Sequence, residues 1–166
     1  MYQLERLIGE QKINKALKEF FNQHRFPNRP PVSEDLLNAI YREAPKETHE
    51  HIDELFKQII VFDNKIEAVD ATKLSNGMYA VSYSASINKF REDGSGNRKQ
   101  LPADGSIQVL IENEDGSKSL RRVTISGNMI HEQFTQKQKP LQLIVDPYFD
   151  FLDANDGDNK MRIIYE

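Results

Sequence analysis

The sequence predicts an α+β chain, a cluster of about three helices followed by an antiparallel, immunoglobulin-like β-sandwich. Three observations carry that expectation. Apolar residues recur at helical spacing through roughly the first 59 positions, the spacing drops to two after "VFDNK", and the later apolar runs are short and separated by Gly- and Asn-rich turns. The expected division is therefore 1–59 helical and 60–166 β-sandwich.

From Glu10 onward, Ile13, Ala16, Leu17, Phe20, Phe21 and His24 fall at the spacing that lines one face of a helix. Leu4, Leu7 and Ile8 form an earlier helical piece, and Gly9 suits a left-handed end to it. No Ser, Thr, Asp or Asn cap precedes that piece, so it reads as cut from a longer helix, with Met1 an artificial start. "FPNRPPV" breaks the helix because its three prolines remove amide donors and push the preceding residues toward extended backbone. Ser33 then stands as N-cap of a second helix with Leu36, Leu37, Ile40 and Tyr41 on its buried face. Thr48 caps a third, where Ile52, Leu55, Phe56 and Ile59 repeat at helical spacing.

In "MYAVSYSASIN", Tyr79, Val81, Tyr83, Ala85 and Ile87 alternate with small or polar residues, and Asn76-Gly77 marks a turn just before. Ile107, Val109 and Ile111 alternate likewise, and all these residues are expected to face inward. Further strands are expected around Ile66 to Leu74, Leu120 to Ile125, Met129 to Phe134, Leu141 to Val145 and Met161 to Tyr165. The segment from Arg91 to Ser106, with "DGSGN" inside it, reads as an exposed irregular hairpin loop.

Composition excludes several functions. With 166 residues and 38% hydrophobic content the chain can bury a core. No apolar run is long enough to cross a membrane as a helix, so no direct membrane insertion is expected. A net charge of -4 with scattered basic residues leaves no phosphate-binding stripe, which argues against nucleic acid as a partner. The absence of cysteine removes disulfides, thiolate metal sites and cysteine nucleophiles.

Candidate chemistry is sparse. "HEQFT" comes within one residue of the HExxH zinc signature, but Thr135 stands where the second histidine should be, and the period-two context sends His131 and Glu132 to opposite faces of a strand. In "THEHID", His49 and His51 lie about 200° apart around a helix axis, which suits a solvated first turn and not a shared ion. "DANDGDNK" is rich in oxygen ligands, yet an EF-hand loop begun at Asp153 would put Asp158 where Gly is needed and Ile164 where Glu is needed. A tight turn between the last two strands accounts for those residues. There is no GxSxG or Gly-rich phosphate loop, and His24 completes the edge of a helix stripe. The residues assign no catalytic, cofactor-binding or metal site.

Three stretches taken together carry a family likeness: "IGEQKINKALKEFFNQHRF", "IDELFKQIIVFDNKI" and "VDPYFDFLDANDGDNKM". In this order, across nearly the whole chain, they resemble the C-terminal part of aminopeptidase N-like zinc metallopeptidases of the gluzincin class. The closest likeness is to a bacterial subgroup whose peptidase follows an ABC-transporter permease. The resemblance implies a non-catalytic fragment whose helices finish the packing of an upstream catalytic domain and whose sandwich supports that domain or borders its cleft. Zinc, peptide substrate and any membrane association would then belong to the parent. The zinc helix, the third ligand, the Gly-rich segment and the transition-state tyrosine of such enzymes all lie upstream of the matching region, and Tyr2 takes no role. The passage from helices into strands departs from the long helical C-terminal domain of the animal enzymes. Two alternatives compete with this fragment: a free-standing sandwich that binds a protein or glycan through Arg91 to Ser106, and a complete small hydrolase lacking any assembled nucleophile, base and orienter.

Overall fold

The computed structural model describes residues 2–165. They divide into two compact units, with the boundary in the chain between Gln58 and Ile59.

The first unit is helical: α1 (Tyr2–Ile8), α2 (Glu10–His24), α3 (Ser33–Glu43), a 3₁₀ turn at Lys46–Thr48, and α4 (His49–Lys57). Gly9 is what makes four helices of the expected three. Its φ of 89° with ψ of 145° interrupts the helical path, so α1 and α2 are separate rods. Leu4, Ile8, Ile13, Ala16, Ile40 and Ile52 form the centre of the unit, each nearly solvent-free. Leu17 and Phe20 pack against it, while Phe21 is 68% exposed. Helix geometry explains the difference, because Phe20 falls within about 20° of Ile13 around the axis and Phe21 about 80° away.

The helix starts differ in detail from the sequence expectation. Val32, not Ser33, is the N-cap of α3, and the Asp35 carboxylate accepts its N–H at 2.9 Å. That bond, helped by Arg29 at 2.8 Å, holds the Asp35 carboxyl below its ordinary range. Thr48 is the N-cap residue of α4, as expected, but its side chain makes no capping bond, because its hydroxyl donates to the Pro45 carbonyl at 2.6 Å. His49 is not in a solvated turn either: its ring lies 4.8 Å from that of Tyr41. The Tyr41 hydroxyl donates to Asp53, whose carboxylate also meets Lys57 at 2.8 Å, and this polar clasp joins α3 to α4. On α4 only Ile52 is fully buried, with Leu55 and Phe56 partly open, and the helix stops at Lys57, so Ile59 belongs to a strand.

The second unit is an antiparallel sandwich of β1 (Ile59–Lys73), β2 (Tyr79–Glu92), β3 (Arg98–Leu101), β4 (Ser106–Asn113), β5 (Lys118–Thr124), β6 (Met129–Gln136), β7 (Pro140–Val145) and β8 (Lys160–Arg162). In one sheet β2 pairs with β1 along one edge and with β6 and β3 along the other. The other sheet has the order β5-β4-β7-β8. The consecutive strands β5, β6 and β7 thus alternate between sheets, as in an immunoglobulin-like sandwich. Its core joins Ile66, Tyr83, Ile87 and Ile130 of the first sheet to Ile107, Val109, Ile111 and Leu143 of the second. Val81 is also solvent-free, while Tyr79 is half-buried with its ring 6.2 Å from that of Tyr165.

Two expectations about this unit need correction. β1 begins at Ile59, seven residues before the predicted start, because "IIVF" carries no alternation that would mark it as strand. Arg91 to Ser106 is not one continuous irregular loop: β2 runs on to Glu92 and pairs with β3, leaving a short turn closed by Asp93. The Asp93 carboxylate accepts the Ser95 and Asn97 main-chain N–H groups and the Asn97 side-chain amide, which hold it below its ordinary range.

Val81→Asp or Val109→Asp should each unfold the sandwich, since both positions are fully buried and an unpaired buried charge costs more than about 4 kcal/mol. Loss of the far-UV strand signal or of a cooperative melt is the expected result, and wild-type melting would refute the assigned face. At Gly9 an added Cβ meets nothing within 4 Å, so Gly9→Ala isolates backbone strain. It should cost about 1–3 kcal/mol in urea denaturation.

Candidate functional site

A shallow trough of about 390 Å³ lies on the sheet of β1, β2 and β6, lined by Ala68, Asp70, Ser82, Tyr83, Ser84, His131, Glu132 and Gln133. Its floor follows from the alternation of β2. Val81, Tyr83, Ala85 and Ile87 are buried, so Ser82 and Ser84 face outward. Cross-strand pairing sets Ala68 and His131 on either side of Ser84, and Asp70 and Gln133 on either side of Ser82. Short side chains between longer ones make the hollow.

A β-bulge makes this arrangement possible. The β1–β2 register shifts between Ile66 and Ala68. Before the shift Phe62, Asn64 and Ile66 are buried; after it Ala68 and Asp70 are exposed. Glu67, at the shift, accepts the Ser86 hydroxyl at 2.9 Å and meets Lys65 at 3.2 Å. The Ser86 bond and then Lys65 keep its carboxyl below the ordinary range.

Aspartate, serine and histidine meet here, but not in the order acyl transfer needs. The serines stand between Asp70 and His131, whereas a serine nucleophile requires the histidine in the middle, oriented by the acid. The serines lie within a strand and not at a sharp strand-to-helix turn. The trough can offer hydroxyl, amide and imidazole hydrogen bonds and the Asp70 carboxylate to a polar group.

Each sequence candidate has a definite place. His131 is exposed on the outer face of β6 and Glu132 is half-buried on its inner face, so the two cannot act on one ion, and Thr135 is exposed. His51 is exposed on α4, while His24 packs its ring 5.1 Å from Phe20. Among the described residues no three His, Cys, Asp or Glu side chains are grouped as metal ligands. Met1 lies outside the described residues, as does the side chain of Tyr2.

Sequence reading missed the trough because no motif marks it. Its signal is the small residue at every second position of "AVSYSASIN", legible only once the neighbours across β2 are known. Beneath it, the Tyr83 hydroxyl is buried without a hydrogen-bond partner. Burial, and then the charge of Glu132, push its pKa far upward, with Arg121 opposing.

Tyr83→Phe removes that orphaned hydroxyl. The variant should melt within about 0.5 kcal/mol of wild type or above it, because an unmade buried hydrogen bond contributes no stability. A loss above about 1 kcal/mol would show that the hydroxyl is satisfied in solution.

The chain matches no protein-family model and no curated protein.

Proposed function

We propose that this chain is the non-catalytic C-terminal part of an aminopeptidase N-like zinc peptidase. Its helices would complete the packing of an upstream catalytic domain, and its sandwich would buttress that domain or border the peptide cleft. Zinc and peptide substrate belong to the parent, a bacterial membrane-associated protein in the permease-fused form.

One observation carries this proposal: two of the three resembling stretches, far apart in sequence, interlock in space. Phe62 of the second stretch donates its N–H to the Leu152 carbonyl of the third at 2.7 Å and accepts from Ala154 at 2.8 Å. The Phe62 and Phe151 rings lie 4.4 Å apart, and the Asn64 N–H reaches the Asp153 carboxylate at 3.2 Å. Residues with a shared structural task give a reason for a likeness that contains no catalytic motif. The helical unit adds a second support. Phe21, Phe26 and Val32 are 68%, 94% and 57% exposed, an apolar set suited to a protein partner. Leu4, Ile8 and Ile13 are buried within the unit and do not add to that set.

The alternative, a free-standing binding module, rests on the β2–β3 ribbon. Its tip spends the Asp93 acceptors on its own backbone, which leaves recognition to exposed side chains such as Lys99 and Gln100.

The isolated chain should neither hydrolyse aminoacyl-p-nitroanilides nor retain stoichiometric zinc after dialysis against micromolar zinc. The full reading frame should encode HExxH and a later glutamate ligand upstream, and the expressed upstream segment should co-purify with this chain. One tightly held zinc per chain, with turnover abolished by His131→Ala, would overturn the proposal.

A further inference from the structure

The segment between β7 and β8 holds more oxygen than its own hydrogen bonds use. The Asp153 carboxylate lies at its centre. One oxygen, Oδ2, accepts the Asn64 main-chain N–H at 3.2 Å and the Asn159 side-chain amide at 2.7 Å, while Oδ1 accepts the Asn155 N–H at 3.0 Å. Asn155 in turn donates its amide to Asp158 Oδ2 at 2.9 Å. These links bring the main chain of Asn64, which is remote in sequence, to the same carboxylate oxygen as the Asn159 amide, and Asn155 ties that carboxylate to Asp158.

What these bonds leave over points to a ligand. Asn64 is 0% exposed and both of its side-chain polar atoms lack a partner. Asn159 is 5% exposed and its Oδ1 lacks one, as does the buried Oδ1 of Asp158. Asn64 is buried on the inward side of β1, where β1 packs against β8 and the Asp156–Asp158 turn. Buried amides and carboxylates without partners are costly, at about 1–3 kcal/mol each. One water donates only two protons and would leave part of the set unmet. The surplus is three oxygens against one NH₂, with two carboxylates, Asp153 and Asp158, alongside. Hard divalent cations take such an oxygen-rich set, and two carboxylates balance their charge.

We propose that Asn64, Asp153, Asp158 and Asn159 form a site for one divalent cation of the calcium class, which fastens β1 to the segment before β8. The site is not an EF-hand. It takes one ligand from a distant strand, which is why a loop-based register test of "DANDGDNK" does not find it.

The test is a calorimetric titration of CaCl₂ into the whole, chelator-treated chain, with melting curves in calcium and in EDTA. One saturable site per chain is expected, with a melting temperature raised by calcium. Asp158→Asn should weaken binding at least tenfold, as should Asn64→Ala if the first variant misfolds. Asp156→Asn, an exposed acid of the same turn, should bind as wild type does. No calcium heat from the wild-type chain, unchanged affinity in Asp158→Asn, or an equal loss in Asp156→Asn would each overturn the proposal, the last by showing only surface chelation.

Discussion

The sandwich depends on how β1, an edge strand of one sheet, is held to the segment that closes the other. An edge strand presents a row of unpaired amides and carbonyls. Here the free edge of β1 is met near its start by residues 152–154, which pair with Phe62 in both directions and form a bridge at Asp153. The segment is itself anchored. Asp146 is buried, donates its N–H to the Gln108 carbonyl, and accepts the N–H groups of Asp150 and Phe151 on its two carboxylate oxygens. Both Asp146 and Phe149 adopt positive φ, 49° and 54°, so the local path is strained and the hydrogen bonds hold it. The same path brings Phe151 against Phe62 and leaves Phe149 in solvent.

The β-bulge near Glu67 lets this fastening coexist with an outward polar face. Without the extra residue, β1 would keep one alternation throughout, and the burial of Phe62, Asn64 and Ile66 would require Ala68 and Asp70 to face inward as well. The register shift releases the second half of the strand, so Val69 packs toward the core and Asp70 turns to the surface beside Ser82. One local irregularity thus serves the clasp at one end of β1 and the trough at the other.

The sequence made the coarse architecture legible because hydrophobic period is a local property. Val81, Tyr83, Ile107, Val109 and Ile111 announce their buried face within one strand, and the structure buries all five. Features set by distant partners were not legible. Ile59 and Ile60 continue a helical stripe as plausibly as they open a strand, and only the pairing of β1 with Glu92 and Arg91 decides for the strand. Spacing put Phe21 on the same stripe as Phe20, and only the angle around the axis separates the exposed ring from the packed one. His49 looked solvated because its partner, Tyr41, sits on the preceding helix. The trough needed the cross-strand register, which a turn motif such as Asn76-Gly77 constrains only near the hairpin end.

Polar residues in the clasp also bear on why this edge closes in one way. Apolar side chains at the Asn64 and Asn159 positions could fill the same volume and would tolerate a strand slipped by two residues, since slippage by two preserves the buried face. The Asn64 main-chain N–H and the Asn159 side-chain amide meet the same Asp153 oxygen, the first from β1 and the second from within the closing segment, so that carboxylate is held in place from both sides. The cost of burying those groups is greatest when they are incompletely partnered, so the arrangement gains most from whatever fills the remaining valences. The proposed cation would couple register at the closing edge to occupancy of the oxygen-rich pocket, because β1 supplies Asn64 and the closing segment supplies Asp153, Asp158 and Asn159.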